Sequence, residues 1–529
     1  MRSARPLLLI VVLACLLPAA AYDDTAETIA NFKRFYAKAE LPRERYEAVL
    51  VLKGMNSLDA AQALAPALED SDFGVRRAAI EVLGGYHRDD VARWLVDDVL
   101  GDHKNSRKTL LRAAAIEALG TMQQPFAYEP CAAALSDKDM GIKLAAITSL
   151  GNLKNPAACP ALSTMVSDPD GALALAALDA LAAIGSAEGA QAAVVAALEH
   201  PDWRVRARAI QAVVTLRLKA GVRGLIDRVE KEDGRLRGDA LVALKTCTTW
   251  NLGSDPAAWR KWWDDKESTF VMPDPAKVAA ALEKAKSEGH TQMAVAKAAG
   301  DKQFLTITTA SESMLFVIDV SGSMDIPFGD AERLKVTGRT YPSLQRLAIV
   351  KEELAATIAD LPETTSFNIF AFATDVRPWK KDPVRANILN KDAATEWVRK
   401  LQPLGLTKGG TTFEVATGMK VEKSQDGATN TYLALMDALG ENAEDYGKPR
   451  SEGFVTDKPK NTYDTVFFLT DGEPTVGKTV DMYEIRREVQ RVNQYRGVQI
   501  HVIYVGEFGG EDFEKMAREN HGVFVKIGG

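Results

Sequence analysis

Leu315-Phe316-Val317-Ile318-Asp319-Val320-Ser321-Gly322-Ser323 is the stretch on which the reading of this chain turns. An apolar run leads into one carboxylate and two hydroxyls at a spacing of two. In extended backbone, side chains at i, i+2 and i+4 point to the same side. Asp319, Ser321 and Ser323 are therefore expected to aim three oxygens at one hard cation. Mg²⁺ suits such a set, because it takes near-octahedral oxygen ligation and keeps several of its waters.

Outward from this stretch, apolar strands alternate with amphipathic helices to the end of the 529 residues. The pattern predicts strands over 314–320, 366–374, 464–470, 498–505 and 523–527. Helices are predicted over about 343–361, 390–401, 431–441, 481–496 and 511–520. Runs such as Thr465-Val466-Phe467-Phe468-Leu469 are apolar on both faces, as a buried parallel sheet requires. Ligands of such sheets bind beyond the carboxyl ends of the strands, where Asp319 and Asp471 both fall.

Residues 313–529 resemble the von Willebrand factor type A (VWA) domain, an α/β doubly wound, Rossmann-like fold. The resemblance rests on Asp319-x-Ser321-x-Ser323, on Leu469-Thr470-Asp471-Gly472 at a second strand end, and on a loop threonine ahead of a helix. Two threonines compete for the last role: Thr429, in Gly427-Ala428-Thr429-Asn430 leading straight into a helix, and Thr411, after the better glycine pair Gly409-Gly410. Thr429 is preferred for its Asn and its helix. The segment between them and residues 325–342 read as insertions beside the metal loop. The resemblance implies a metal ion-dependent adhesion site formed by Asp319, Ser321, Ser323, Thr429 and Asp471 around Mg²⁺ or Mn²⁺. It also implies a partner protein whose Asp or Glu carboxylate completes the metal shell.

The first half of the chain repeats. Ala48-Val49, Ala79-Ile80, Ala115-Ile116, Ala146-Ile147, Ala177-Leu178, Ala209-Ile210 and Ala240-Leu241 recur at spacings of 31, 36, 31, 31, 32 and 31 residues. One period over seven units signals a stacked helical array. A turn acid opens most units (Asp72, Asp137, Asp168, Asp202). A basic residue stands four positions before most of the aligned sites (Arg45, Arg76, Arg112, Lys143, Arg206, Arg237), and Ala174 breaks the ladder. Basic residues in phase with turn acids are expected to bond to them rather than line an anion groove. Gly54, Gly84, Gly120, Gly151 and Gly185 are expected to be left-handed helix ends. The pattern resembles short HEAT repeats of the phycobilisome-lyase type, which implies an all-α superhelical solenoid with a surface open to a second protein.

Trp250, Trp259, Trp262 and Trp263 close the array and are expected to cap the last repeat. The domain reading is thus a signal peptide over 1–21, the array with its cap over 22–263, a connector over 264–312 and the VWA domain over 313–529. Arg2 and Arg5, the apolar run Leu7–Leu17 and Pro18-Ala19-Ala20-Ala21 form the export signal, with cleavage before Tyr22. Val12-Leu13-Ala14-Cys15 offers a minority lipoprotein reading. Export places the mature chain in the periplasm, at the cell surface or in the medium of a bacterium. No other run is long enough to span a membrane.

Loss of the two signal arginines takes the net charge from −7 to −9. An acidic chain without basic runs argues against nucleic acid. Cys131, Cys159 and Cys247 have neither zinc spacing nor an even count. They read as buried apolar residues, with a Cys131–Cys159 pair as the alternative.

The expected function is that of an extracytoplasmic, metal-dependent protein-binding, adhesion or scaffold protein that is not an enzyme. A metal-dependent phosphatase would need a second Asp where Ser321 stands, and no histidine sits in a catalytic motif. A subunit of a metal chelatase or an AAA-type ATPase would work in the cytosol, against the export signal.

Overall fold

In the computed structural model the described residues are 24–278, 302–304, 307–328, 341, 343–404, 411–414, 420–423, 427–440, 463–506 and 509–527. The signal over 1–21, about half of the connector, much of both expected insertions and Gly409-Gly410 lie outside them. The chain divides into two compact units, one ending at Asn155 and one starting at Pro156. The second holds the later repeats together with the α/β domain.

In the first unit, helices Phe73–Gly84, Thr109–Met122 and Met140–Leu153 carry the aligned apolar pairs, all of them buried. Two acids per turn share the work at the turns before Phe73 and Met140. Asp72 and Asp139 cap the following helices by accepting from the amides of Val75 (3.2 Å) and Ile142 (3.1 Å). The acids two positions earlier, Asp70 and Asp137, accept the preceding unit's arginine. Arg45 Nε lies 2.6 Å from Asp70, and Arg112 Nη2 lies 2.7 Å from Asp137. In the second unit Arg206 reaches Glu232 in the same way at 2.6 Å. The basic ladder is thus inter-repeat bonding at these rungs.

The glycines divide by cause. Gly54 and Gly185 have φ of +82° and +75°, the left-handed conformation expected of them. Gly84, Gly120 and Gly151 instead lie inside their helices, and the left-handed ends fall at Gln123 and Lys154. Close approach selects the first two: a Cβ on Gly120 would lie 2.5 Å from Ser149 Cβ, and one on Gly84 would lie 2.4 Å from Thr121 Cγ2.

The second unit continues the array through helices Gly171–Ile184, Trp203–Thr215 and Gly234–Thr248. Helix Pro256–Lys266 closes it. Trp259 and Trp263 are fully buried, and Trp259 Nε1 donates to the Gly253 carbonyl at 2.9 Å. Trp262 is half-buried and Trp250 is exposed. Cys131, Cys159 and Cys247 are buried free thiols.

The strands are β1 (Lys302–Phe304), β2 (Ile307–Thr309), β3 (Ser313–Asp319), β4 (Ser366–Phe372), β5 (Val376–Pro378), β6 (Val384–Arg385), β7 (Thr411–Glu414), β8 (Lys420–Lys423), β9 (Thr465–Thr470), β10 (Gln499–Val505) and β11 (Phe524–Ile527). The main sheet runs β11-β10-β9-β3-β4-β5, with β6 also on β4. Pairings from β11 to β4 are parallel; β5 and β6 add antiparallel edges. β1–β2 and β7–β8 are separate hairpin ribbons.

Alternate residues feed two cores. Phe316, Ile318, Phe467 and Leu469 pack with helices Arg346–Asp360 and Ile388–Lys400 on one face. Leu315, Val317, Val466 and Phe468 pack with helices Thr431–Ala438, Met482–Arg496 and Glu511–Glu519 on the other. This three-layer, mostly parallel arrangement is the α/β class expected from the alternation and the VWA-like fold that the resemblance implies. Chain order reverses between β3 and β9, so the switch point of the sheet lies at Asp319 and Asp471, where ligands of open α/β sheets bind.

Candidate metal centre

β3 ends at Asp319, one residue short of the expected strand end at Val320, and the chain does not stay extended through Ser323 as the spacing argument required. Ser321 remains extended, but Gly322–Asp325 forms a 3₁₀ turn. The oxygens converge for a different reason. The Ser321 amide donates to Asp319 Oδ1 at 2.8 Å, folding the chain over the carboxylate. Ser321 Oγ and Ser323 Oγ then stand 3.1 Å apart.

Across the switch point, Ser323 Oγ donates to Asp471 Oδ1 at 2.7 Å. Thr470, the last residue of β9, donates from Oγ1 to Asp319 Oδ2 at 2.7 Å. Asp319, Ser321, Ser323 and Asp471 are therefore linked into one cluster with Thr470.

Thr429 is buried and is held by the loop that follows Asp471. Its amide donates to Thr475 Oγ1 at 2.9 Å, and its carbonyl accepts from the Thr475 amide at 2.9 Å. Asn430 fixes the turn into the helix by capping Leu433 N at 3.1 Å and donating to the Thr374 carbonyl at 3.1 Å. A Cβ at Gly477 would lie 2.4 Å from Asn430 Oδ1, so this loop admits only glycine there. Thr411 opens β7, paired with Lys423 in the separate ribbon.

Asp319 and Asp471 are both buried. Burial, and then the neighbouring Asp471 charge, push the Asp319 carboxyl up to about 7. Burial raises Asp471 as well, opposed by Arg346 and Ser323. Arg346 Nη1 sits 2.8 Å from Asp471 Oδ2. Two buried carboxylates, several hydroxyls and one cation make an oxygen-rich pocket short of positive charge, a donor set that fits a hard divalent ion.

Sequence reasoning missed Arg346, Thr470 and Thr475. Thr470 lies within the second signature and Thr475 stands four residues after Asp471, and their hydroxyls were a readable signal. Arg346 carried none, because it lies 125 residues from its carboxylate.

Residues 34–110, 98–172 and 163–245 match the HEAT repeats family model, and residues 341–416, between β3 and β9, match the von Willebrand factor type A domain model. The chain is 27% identical over 221 residues to inter-alpha-trypsin inhibitor heavy chain H1 of Mesocricetus auratus, covering 42% of this chain and 19% of that protein. It is 27% identical over 173 residues to inter-alpha-trypsin inhibitor heavy chain H4 of Homo sapiens, covering 33% and 14%. The chain thus spans about a fifth or less of these curated relatives. Among solved structures it is similar to a von Willebrand factor type A protein from Catenulispora acidiphila, at 18% identity and a TM-score of 0.26, covering 42% of this chain and 39% of that one.

Proposed function

We propose that this is an exported, metal-dependent protein-binding or adhesion protein, in which the VWA domain engages its partner through Mg²⁺ or Mn²⁺ and the helical array serves as scaffold and second docking surface. The observation that carries the reading is the linked cluster of Asp319, Ser321, Ser323 and Asp471 at the switch point of the sheet, with Thr429 held by the adjoining loop. Likeness to VWA domains and to inter-alpha-trypsin inhibitor heavy chains supports an interaction role.

The chain's own groups divide the work. Ser321, Ser323 and Thr429 offer neutral hydroxyls to the ion, and Asp319 and Asp471 supply charge, directly or through water. A bound ion supplies an electrophilic centre that an Asp or Glu of the partner can complete. Neutral ligands leave that centre hungry for an anion. The cluster contains no general acid of the phosphatase kind, since the position two residues after Asp319 is the hydroxyl of Ser321. Likeness to the VWA and HEAT families supports a non-enzymatic role. Among the described residues no helix is long and apolar enough to cross a membrane.

Calorimetric titration of the chain with Mg²⁺ and Mn²⁺, wild type against Asp319→Ala, tests the reading. One site lost in the variant supports it. Absence of binding to the wild type, even with an acidic peptide present, would leave a scaffold with an inert VWA module.

A further inference from the structure

We propose that Arg346 sets the metal selectivity of this site by occupying one oxygen of Asp471; the proposal rests on the metal-binding reading above. Asp471 is divided between two neighbours. Oδ1 accepts from Ser323 Oγ at 2.7 Å, on the side of the converging hydroxyls, and Oδ2 is held by Arg346 Nη1 at 2.8 Å. While the arginine stays, Asp471 offers an ion one oxygen only.

Arg346 is itself fixed by the chain that carries the first motif. Its amide bonds to the Ile326 carbonyl at 3.3 Å, Pro327 bridges Gln345, and its guanidinium stands 5.9 Å above the buried Phe328 ring. Its side chain is 17% exposed and that of Asp471 is 0% exposed, so the pair is shielded from solvent screening. The residues just after Ser323 therefore place a cation against the second carboxylate of the site.

Two consequences follow from chemistry. The guanidinium charge repels any divalent ion, which lowers metal affinity and leaves the loaded site with an excess of positive charge for an incoming carboxylate. Single-oxygen ligation by Asp471 suits six-coordinate Mg²⁺ and Mn²⁺. Ca²⁺, which takes 6–8 oxygens and favours two-oxygen carboxylates, loses a ligand. Arg346 is a positioning residue: it acts through Asp471.

The test is calorimetric titration of the full chain with Mn²⁺ and with Ca²⁺, wild type against Arg346→Gln. Arg346→Gln is expected to tighten Mn²⁺ binding roughly tenfold and Ca²⁺ binding several times more than that, so that the Mn²⁺/Ca²⁺ affinity ratio falls. An unchanged ratio, or weaker binding of both ions, overturns the proposal while wild-type Mn²⁺ binding keeps the metal reading intact. Absence of binding to either protein removes both. Should the variant be unfolded in chelator, its melting temperature in Mn²⁺ and in Ca²⁺ replaces the titration. A larger rise with Ca²⁺ than in the wild type is then the expected result. Failure to fold with either ion present overturns the proposal, because the ion should replace the lost charge.

Discussion

Arg235, on the last repeat helix, donates through Nη1 to two backbone carbonyls of the α/β domain, those of Asp464 and Gly497, each at 2.6 Å. Asp464 precedes β9 and Gly497 precedes β10, so both acceptors lie at the amino end of the sheet, away from the candidate metal centre. Arg204 repeats the device on the Tyr495 carbonyl at 2.9 Å. Gly238 lets the chain approach the same helix, with a Cβ there only 3.3 Å from Ala310.

Arg235 is 5% exposed, and its removal takes a donor from two half-buried carbonyls, of which that of Asp464 keeps the Gln499 amide at 2.9 Å, and an ion-pair partner from the half-buried Asp239 carboxylate 3.3 Å away. Arg235→Met is therefore expected to cost about 1–3 kcal/mol, the scale of one polar group left unsatisfied. In calorimetric melting the later repeats and the α/β domain should then separate into two transitions. An unchanged single transition would show that the arginines are not what joins them.

Gly120 and Gln123 form a paired test of the repeat packing. Gly120→Ala gains about 1 kcal/mol of helix propensity, yet it places a methyl against Ser149 at a site where overpacking costs roughly 1–3 kcal/mol. A net loss near 1 kcal/mol in urea unfolding is expected. Gln123, at φ +54°, is the true left-handed end, so Gln123→Gly should be neutral or stabilising. A stabilising Gly120→Ala together with a destabilising Gln123→Gly would contradict this account of the packing and of the helix end.

That glycine misreading shows where sequence runs out. A left-handed end and a tight helix crossing both select glycine, and only the neighbour's position tells them apart. The sheet was legible because Leu315–Ile318, Val466–Leu469 and Ile500–Val505 are apolar on both faces and bounded by polar residues. β5 and β6, three and two residues long on the sheet edge, carry no periodicity to read. Asp319 and Asp471 were legible because strand ends announce them. The Asx-type fold of Ser321 over Asp319, rather than strand alternation, brings the hydroxyls in, and that depends on a backbone bond no spacing records. Arg346 reaches Asp471 only through tertiary packing.

His501 gives the fold an acid sensitivity of predictable sign. It lies fully buried in β10, stacked on Phe467 at 4.9 Å, and its Nδ1 accepts from the Val523 amide at 3.0 Å. Burial, and then the Arg235 charge, depress it to about 3 from an ordinary 6.5. The unfolded chain thus takes a proton below about pH 6.5 that the folded chain refuses, and stability falls as pH drops from there toward 3. His501→Asn keeps an acceptor for Val523 and cannot titrate. Between pH 6.5 and 5 the wild type should lose about 2 kcal/mol more than this variant. Equal losses in urea titrations at the two pH values would contradict the assignment.

Asp319 is where stability and metal binding should conflict. Its carboxylate is fully buried, shares the switch point with Asp471, and accepts from Ser321 and from Thr470 Oγ1. In chelator, Asp319→Asn removes one of two like charges that one arginine must balance, and it keeps an oxygen for the Ser321 amide. The variant is expected to be more stable than wild type by about 1–2 kcal/mol, as substitutions that relieve a strained functional site often are. With Mn²⁺ added the order should reverse, because a ligand that binds only the folded state raises wild-type stability in proportion to its affinity. Melting temperatures of both proteins in chelator and in millimolar Mn²⁺ provide the check. If Asp319→Asn is less stable in chelator, the carboxylate is serving the fold through its two hydrogen bonds. If Mn²⁺ raises both proteins equally, the ion is bound elsewhere.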